Sequence, residues 1–148
     1  MKAVIQRVKR AEVIIDNSTY NSINVGLLVF IGIGLKDDFF DIKKVTKKIL
    51  NLRIFEDVDK KMNLSLKDIQ GEVLIISQFT LHAECKKGNR PSFVKSAPAI
   101  DAQKIYNEFV NYIKDEYHNI KTGKFGASME VDLINSGPIT IQLDSKRL

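Results

Sequence analysis

Gly26-Leu27-Leu28-Val29-Phe30-Ile31-Gly32 is a continuous apolar run closed by glycine at each end. A strand with one wet face would show a polar residue at every second position. An unbroken run therefore predicts a central strand covered on both faces. A second run of the same kind, Val73-Leu74-Ile75-Ile76, leads into Ser77 and predicts another buried strand. On the N-terminal side, residues 2–8 and 11–16 alternate loosely and predict two strands, with Asp16-Asn17-Ser18 as turn chemistry. Near the C-terminus Met129, Val131 and Leu133 alternate with Glu130, Asp132 and Ile134. After Gly137-Pro138 the alternation resumes, with Ile139, Ile141 and Leu143 against Thr140, Gln142 and Asp144. Two half-buried strands are predicted there, separated by a dipeptide that does not belong inside a strand.

Helical spacing occupies the intervals. Asp37 or Asp38 caps a helix whose apolar positions are Ile42, Val45, Ile49 and Leu52. A second helix fits about 99–117, with a buried stripe of Ala102, Ile105, Phe109, Tyr112 and Ile113. Asp57-Val58-Asp59-Lys60 reads as a turn, and 82–98 as a long polar connection of the length that function usually demands. Strands outnumber helices, and their spacing is too uneven for a repeated β-α-β wind. The predicted fold class is α+β: a mostly antiparallel or mixed sheet with two helices packed on one face.

Composition narrows the function classes. With 148 residues, 44% of them apolar, the chain suits one domain, 1–148, with its own core. No run approaches the ~18 apolar residues of a membrane span, and Met1–Ile5 reads as a first strand rather than a signal peptide. The single cysteine, Cys85, excludes an internal disulfide and a cysteine-based zinc cluster. A cytoplasmic setting and an inert, partly exposed thiol are the expectations. The net charge of +5 favours a polyanionic partner. Lys43, Lys44, Lys47 and Lys48 share one helix face, which is most simply a solvated face. Lys86-Lys87-Gly88-Asn89-Arg90 is more pointed, because it follows a strand exit and suits a phosphate backbone.

That exit is Ser77-Gln78-Phe79-Thr80-Leu81. Loop groups at the end of a rigid strand are held in fixed positions, where catalytic groups commonly sit. The usual constellations are missing. The chain has two histidines, His82 and His118. His82 lies near Ser77 and Thr80, but neighbouring strand residues face opposite ways and make a poor triad. Paired metal-ligand spacings do not occur, and Gly32-Ile33-Gly34 lacks the third glycine of a dinucleotide loop. What remains is backbone N–H groups and two hydroxyls, which stabilise an oxyanion at ~3–4 kcal/mol per well-placed donor. The same hydroxyls also suit plain strand termination by local backbone bonds. Gly137-Pro138 likewise suits a simple turn or, as a cis bond, a rigid presentation of backbone.

Ser77–Leu81 matches an S-Q-F-T-L motif and Asn135–Thr140 an N-x-G-P-V-T motif, with Ile139 in place of the valine. Further matches are Ile5-Gln6-Arg7-Val8, Arg53-Ile54-Phe55, Lys61-Met62-Asn63, Gly88–Phe93 and Thr122–Ala127 with Met129. By these the chain resembles the D-aminoacyl-tRNA deacylases over its whole length. The resemblance implies a barrel-like fold and a homodimeric, cofactor-free and metal-free hydrolase. Its expected reaction cleaves the ester between a D-amino acid and the tRNA 3′ end. It further implies that a cis Gly137-Pro138 enters the partner subunit's site and excludes L-amino acids, with Arg7 holding it in place. Ser77, Gln78, Phe79 and Thr80 would line the pocket for the terminal adenosine and scissile ester, with Met129 beside them. Thr80 is either the nucleophile or a bystander to the substrate's own 2′-hydroxyl. A filter that reads no side chain should also admit glycyl-tRNA. A related branch with P-Q-A-T-L and a trans Gly-Pro removes L-alanine; Ser77 and Phe79 place this chain apart from it. The alternative from another class is a nucleic-acid-binding module without turnover.

Overall fold

The structure is a computed structural model and describes residues 1–86 and 88–148; Lys87 of the basic cluster lies outside the described residues. In chain order the elements are β1 (Lys2–Ile15), β2 (Ser18–Ile23), β3 (Gly26–Gly32), α1 (Phe39–Asn51), β4 (Phe55–Glu56), β5 (Met62–Leu64), β6 (Glu72–Ser77), a 3-10 turn (Phe79–His82), α2 (Ala99–Glu116), β7 (Ile120–Thr122) and β8 (Glu130–Asp144). The main sheet runs β2-β1-β3-β6-β7, with β8 also paired to β1. It is mixed: β1 is antiparallel to β2, β3 and β8, whereas β3, β6 and β7 are parallel. Side chains close the roll, because Asn21 donates to the Thr122 carbonyl (2.7 Å) and Lys121 to the Ser22 carbonyl (2.6 Å). The fold is thus α+β and barrel-like, with both helices on one face.

Three sequence expectations need correction. Residues 2–8 and 11–16 form one strand, not two. An irregularity around Val8–Arg10 breaks the alternation. Ala3 and Ile5 pack in the helix-side core with Leu27, Val29, Val73 and Ile75, while Val8, Ala11 and Val13 join Leu28, Leu74 and Ile76 on the other face. One extra residue therefore lets a single strand serve two cores. The uneven strand spacing also hid two parallel crossovers, β3-α1-β6 and β6-α2-β7, each lengthened by an insertion. The inserts are the β4–β5 hairpin in the first and residues 83–98 in the second. In α2 the buried residues are Ala102, Tyr106, Phe109, Val110 and Ile113, with Ile105 and Tyr112 only half-buried. The stripe turns toward Tyr106 because its hydroxyl finds the Ile75 carbonyl at 3.1 Å, so a polar tip is buried with a partner.

Local chemistry explains the joints. Asp16 and Asn17 have φ of 51° and 62°, the left-handed pair that a two-residue hairpin turn requires between β1 and β2. Asp38 caps α1, accepting from Phe40 and Asp41 N–H, and Asp41 returns the bond to the Asp38 N–H at 3.0 Å. Asp37 instead accepts from Gly34 N–H (2.6 Å) and from the Met1 ammonium.

Asp41 also receives Lys146 at 2.6 Å. Burial pushes its carboxyl up, but Lys146, Ser145, the Asp38 N–H and the N-terminal charge outweigh this and bring it down to about 2. A carboxyl lowered by folding stabilises the native state above its ordinary value and loses that contribution as pH falls through the folded value. The urea midpoint should therefore decline as pH drops from 3.8 to about 2. In Asp41→Asn the decline over that interval should be shallower; an unchanged profile would remove Asp41 from the acid transition.

Candidate functional site

The parallel pairing of β3 and β6 ends at Ile31 opposite Ser77, and the Gln78 N–H still reaches the Ile31 carbonyl at 2.7 Å. The chain then tightens into the Phe79–His82 turn, which no side chain caps. Phe79 and Thr80 open this turn, and their N–H groups have no acceptor among the described residues. The Gln78 amide donates to the Thr80 hydroxyl at 2.6 Å. At the far end Lys2 donates to the Leu81 carbonyl (3.2 Å), and His82 is buried against Gly32 and Gly34. A Cβ on Gly34 would meet the imidazole at 2.9 Å, so the glycine makes room for the ring. Burial above all pulls the His82 imidazole down, and its Nε2 has no partner among the described residues. It anchors the turn from behind and is not a wall of the cavity.

That cavity has a volume of about 930 Å³ and lies between the strand ends and α2. Ser77, Gln78, Phe79 and Met129 line it, joined by Phe93 and Phe125, which the sequence reading did not assign. Phe93 packs edge-on against Phe79 at 4.9 Å. None of the lining residues carries an acid, a base, a thiol or a phenol. The chemistry available is hydrogen-bond donation in an apolar setting, where such bonds are strong. No group of His, Cys, Asp or Glu among the described residues is arranged to hold a metal ion. Thr80 stands next to the cavity without lining it.

Arg7, Gly137 and Pro138 are elsewhere in the same chain. Val8 pairs with Asn135 and Gln6 with Thr140, so Ser136–Ile139 stand opposite the single position Arg7. The strand β8 continues through this bulge, which is how a proline is tolerated within it. The Gly137–Pro138 bond is cis, and both residues are exposed. Arg7 is buried and grips the base of the bulge, donating to the Ser136 carbonyl (3.1 Å) and the Ile54 carbonyl (2.7 Å). Gly137 has φ of 125°, and a Cβ there would sit 2.9 Å from Ile139 and 3.1 Å from Arg7. Only glycine fits comfortably.

Asn135 opens the second motif, but the sequence reading gave it no role. Its Oδ1 accepts from Ile139 N–H at 2.8 Å, and its amide donates to the Ile139 carbonyl and to the Thr140 hydroxyl. Gln6 also donates to that hydroxyl, at 3.2 Å. The signal was present, since asparagine preferentially bonds nearby backbone. The site residues thus fall into two groups: a cavity beside an uncapped turn, and a braced backbone projection that does not line it.

A sequence profile of the family described as D-Tyr-tRNA(Tyr) deacylase matches residues 4–144. A D-aminoacyl-tRNA deacylase of Thermosipho africanus is 54% identical over 148 residues, covering 100% of this chain and 99% of that protein. One from Clostridium kluyveri is 51% identical with the same coverage. Among solved structures, one described as c-Myc DNA Unwinding Element Binding Protein superposes with TM-score 0.94 at 43% identity, covering 97% of this chain and 98% of the other. A probable eukaryotic D-amino acid tRNA deacylase shares the fold with TM-score 0.80 at 18% identity, covering 96% and 97%. Profile, identity and coverage agree along the full length, and the chain belongs to the D-Tyr-tRNA(Tyr) deacylase family.

Proposed function

We propose that this enzyme hydrolyses the ester of D-aminoacyl-tRNA, releasing the free D-amino acid and the tRNA, and so proofreads chirality in the cytoplasm. The observation that carries the reading is a large apolar cavity without a titratable group, bordered by a turn whose first N–H groups are unpaired among the described residues. An aminoacyl ester is already activated, so positioning and two or three donors suffice where an amide would need more. The Phe79 and Thr80 N–H groups stabilise the oxyanion as water adds to the carbonyl carbon. The 2′-hydroxyl of the terminal ribose takes up and passes on the proton as the bond to O3′ breaks. Thr80, held by Gln78 and without a base, serves position rather than attack. The reading calls on no cofactor or metal.

Selectivity falls to Gly137-Pro138. The projection is exposed and lines no part of its own chain's cavity, which suits a homodimer in which each subunit completes the other's site. Its carbonyls, braced by Arg7 and Asn135, would meet an L side chain at the α-carbon. A discrimination of ~10⁴ needs about 5.5 kcal/mol, which a clash with fixed backbone supplies more readily than one lost hydrogen bond. Glycine has no side chain to clash, so glycyl-tRNA is cleaved as well. A second reading, nucleic-acid binding without turnover, draws on the 43% identical relative described as a DNA-unwinding-element binding protein.

The direct test is hydrolysis of D-Tyr-tRNA against L-Tyr-tRNA in EDTA. Release of D-Tyr with L-Tyr spared is expected, and cleavage of neither would leave the binding reading in possession. Thr80→Val should retain the rate within about tenfold, whereas a substrate ending in 2′-deoxyadenosine should lose ~10²-fold or more; the reverse pattern would make Thr80 the nucleophile. Arg7→Met should cost about 1–3 kcal/mol in urea unfolding, the penalty for orphaning the Ile54 carbonyl, and lower the D-to-L rate ratio. A ratio equal to that of the native protein would end the bracing role.

A further inference from the structure

His82 takes no part in the chemistry, yet its ring is fitted against the cavity wall from behind. The residue is 8% exposed, and its Nε2 has no partner among the described residues. The ring fills space that two glycines leave open. A Cβ on Gly32 would stand 3.1 Å from its Cδ2, and one on Gly34 would stand 2.9 Å from its Cε1 and 3.5 Å from its Nε2. Ile31, Ile33 and Leu35, which alternate with these glycines, line the cavity. The same stretch holds a further part of the wall. Gly34 bridges Ser96, the Ala97 N–H reaches the Ile33 carbonyl at 3.0 Å, and Ser96 and Ala97 also line the cavity. His82 itself closes the turn that opens with Phe79 and Thr80. One imidazole thus joins the turn to the strand exit and, through Gly34, to the Ser96 segment.

A buried ring nitrogen without a partner costs least while the ring is neutral, because an imidazolium needs acceptors for both of its N–H groups. Burial above all holds His82 below its ordinary 6.5, and Lys2 of β1 and the Met1 ammonium act in the same sense. The Gly32 backbone and Asp37 pull the other way. Asp37 is already engaged by the Gly34 N–H and the Met1 ammonium, with Lys146 at 3.8 Å. Glu84, two residues on, is taken by Lys95 at 2.6 Å. Neither nearby carboxylate is free to receive an imidazolium. We propose that His82 is a positioning residue for the deacylation: uncharged, it wedges the turn of the Phe79 and Thr80 N–H groups against the cavity wall, and a proton taken up there drives the ring toward water or Asp37 and releases both. The inference rests on the deacylase reading for its effect on turnover. Either path moves the ring off Gly32 or Gly34, so the donors and the Ile31–Leu35 wall shift together. Histidine is the side chain whose charge changes within this pH range, so the enzyme loses activity on the acid side through a residue that never meets the substrate.

The test follows His82 and turnover together from about pH 7.5 to about pH 5. His118, which is exposed, is replaced in His118→Gln, so that the one remaining imidazole signal in the NMR spectrum is that of His82. The Gly34 and Phe79 amide shifts should move with that signal. Hydrolysis of D-Tyr-tRNA is read as the native rate divided by the His82→Gln rate, a ratio that removes the pH dependence of the ester itself. The ratio should be level above the ordinary value of 6.5 and fall once His82 takes up its proton, by about tenfold for each further unit. A histidine that only fills space would give a ratio that does not change with pH, which overturns the proposal. Amide shifts that ignore His82 overturn it as well, and they are measured without His82→Gln should that variant not fold. Hydrolysis absent at every pH, with amides that follow His82, removes the deacylase reading and retains the acid-sensitive turn. Hydrolysis present with a level ratio removes the wedge alone.

Discussion

The pairing of β1 with three other strands is the constraint on which the molecule depends. Its first half hydrogen-bonds β3, its second half β2, and β8 lies along both. That arrangement puts the irregularity near Val8–Arg10 and the bulge at Ser136–Ile139 on neighbouring strands. Arg7 is left facing a gap in the ladder. A buried guanidinium needs acceptors, and it finds the Ser136 carbonyl at the gap and the Ile54 carbonyl just before β4. The position of the Gly-Pro projection thus follows from sheet register, with the arginine fastening it.

Two kinds of rigidity serve two tasks. The cavity side is rigid because β3 and β6 are buried on both faces and hold Ser77 and Gln78 against Ile31. The turn that follows leaves the Phe79 and Thr80 N–H groups unpaired among the described residues. The projection is rigid because Asn135 and Arg7 satisfy backbone groups that the bulge removes from the ladder, while Gln6 holds the Thr140 hydroxyl at its edge. Backbone can be placed more firmly than a side chain with rotamers.

Much of this could be read in the chain. Unbroken apolar runs marked β3 and β6, helical spacing marked α1 and α2, and Asp16-Asn17 marked the hairpin turn. Cavity residues Ser77, Gln78, Phe79 and Met129 were legible because two motifs with several flanking matches are specific. Less legible was anything that depends on a strand's partner. The bulge in β1 looked like a gap between strands, because periodicity cannot distinguish a turn from one inserted residue. The brief β7 left no pattern, since three residues are too few to show a period. Tyr106 displaced Ile105 from the α2 stripe because its hydroxyl met a carbonyl from a distant strand.

The sequence alone determined the class of fold, the apolar strands and helices, and the motifs that place the chain in its family. These are local properties, carried by side-chain polarity and spacing over a few residues. The tertiary structure decided that the cavity residues and the Gly-Pro projection are separate in one chain. It also showed that Arg7 and Asn135 brace the projection. The reason is physical: hydrogen bonds such as Arg7 to Ile54 join residues 47 positions apart. Such partners are chosen by the register and curl of the sheet, which no window of sequence contains.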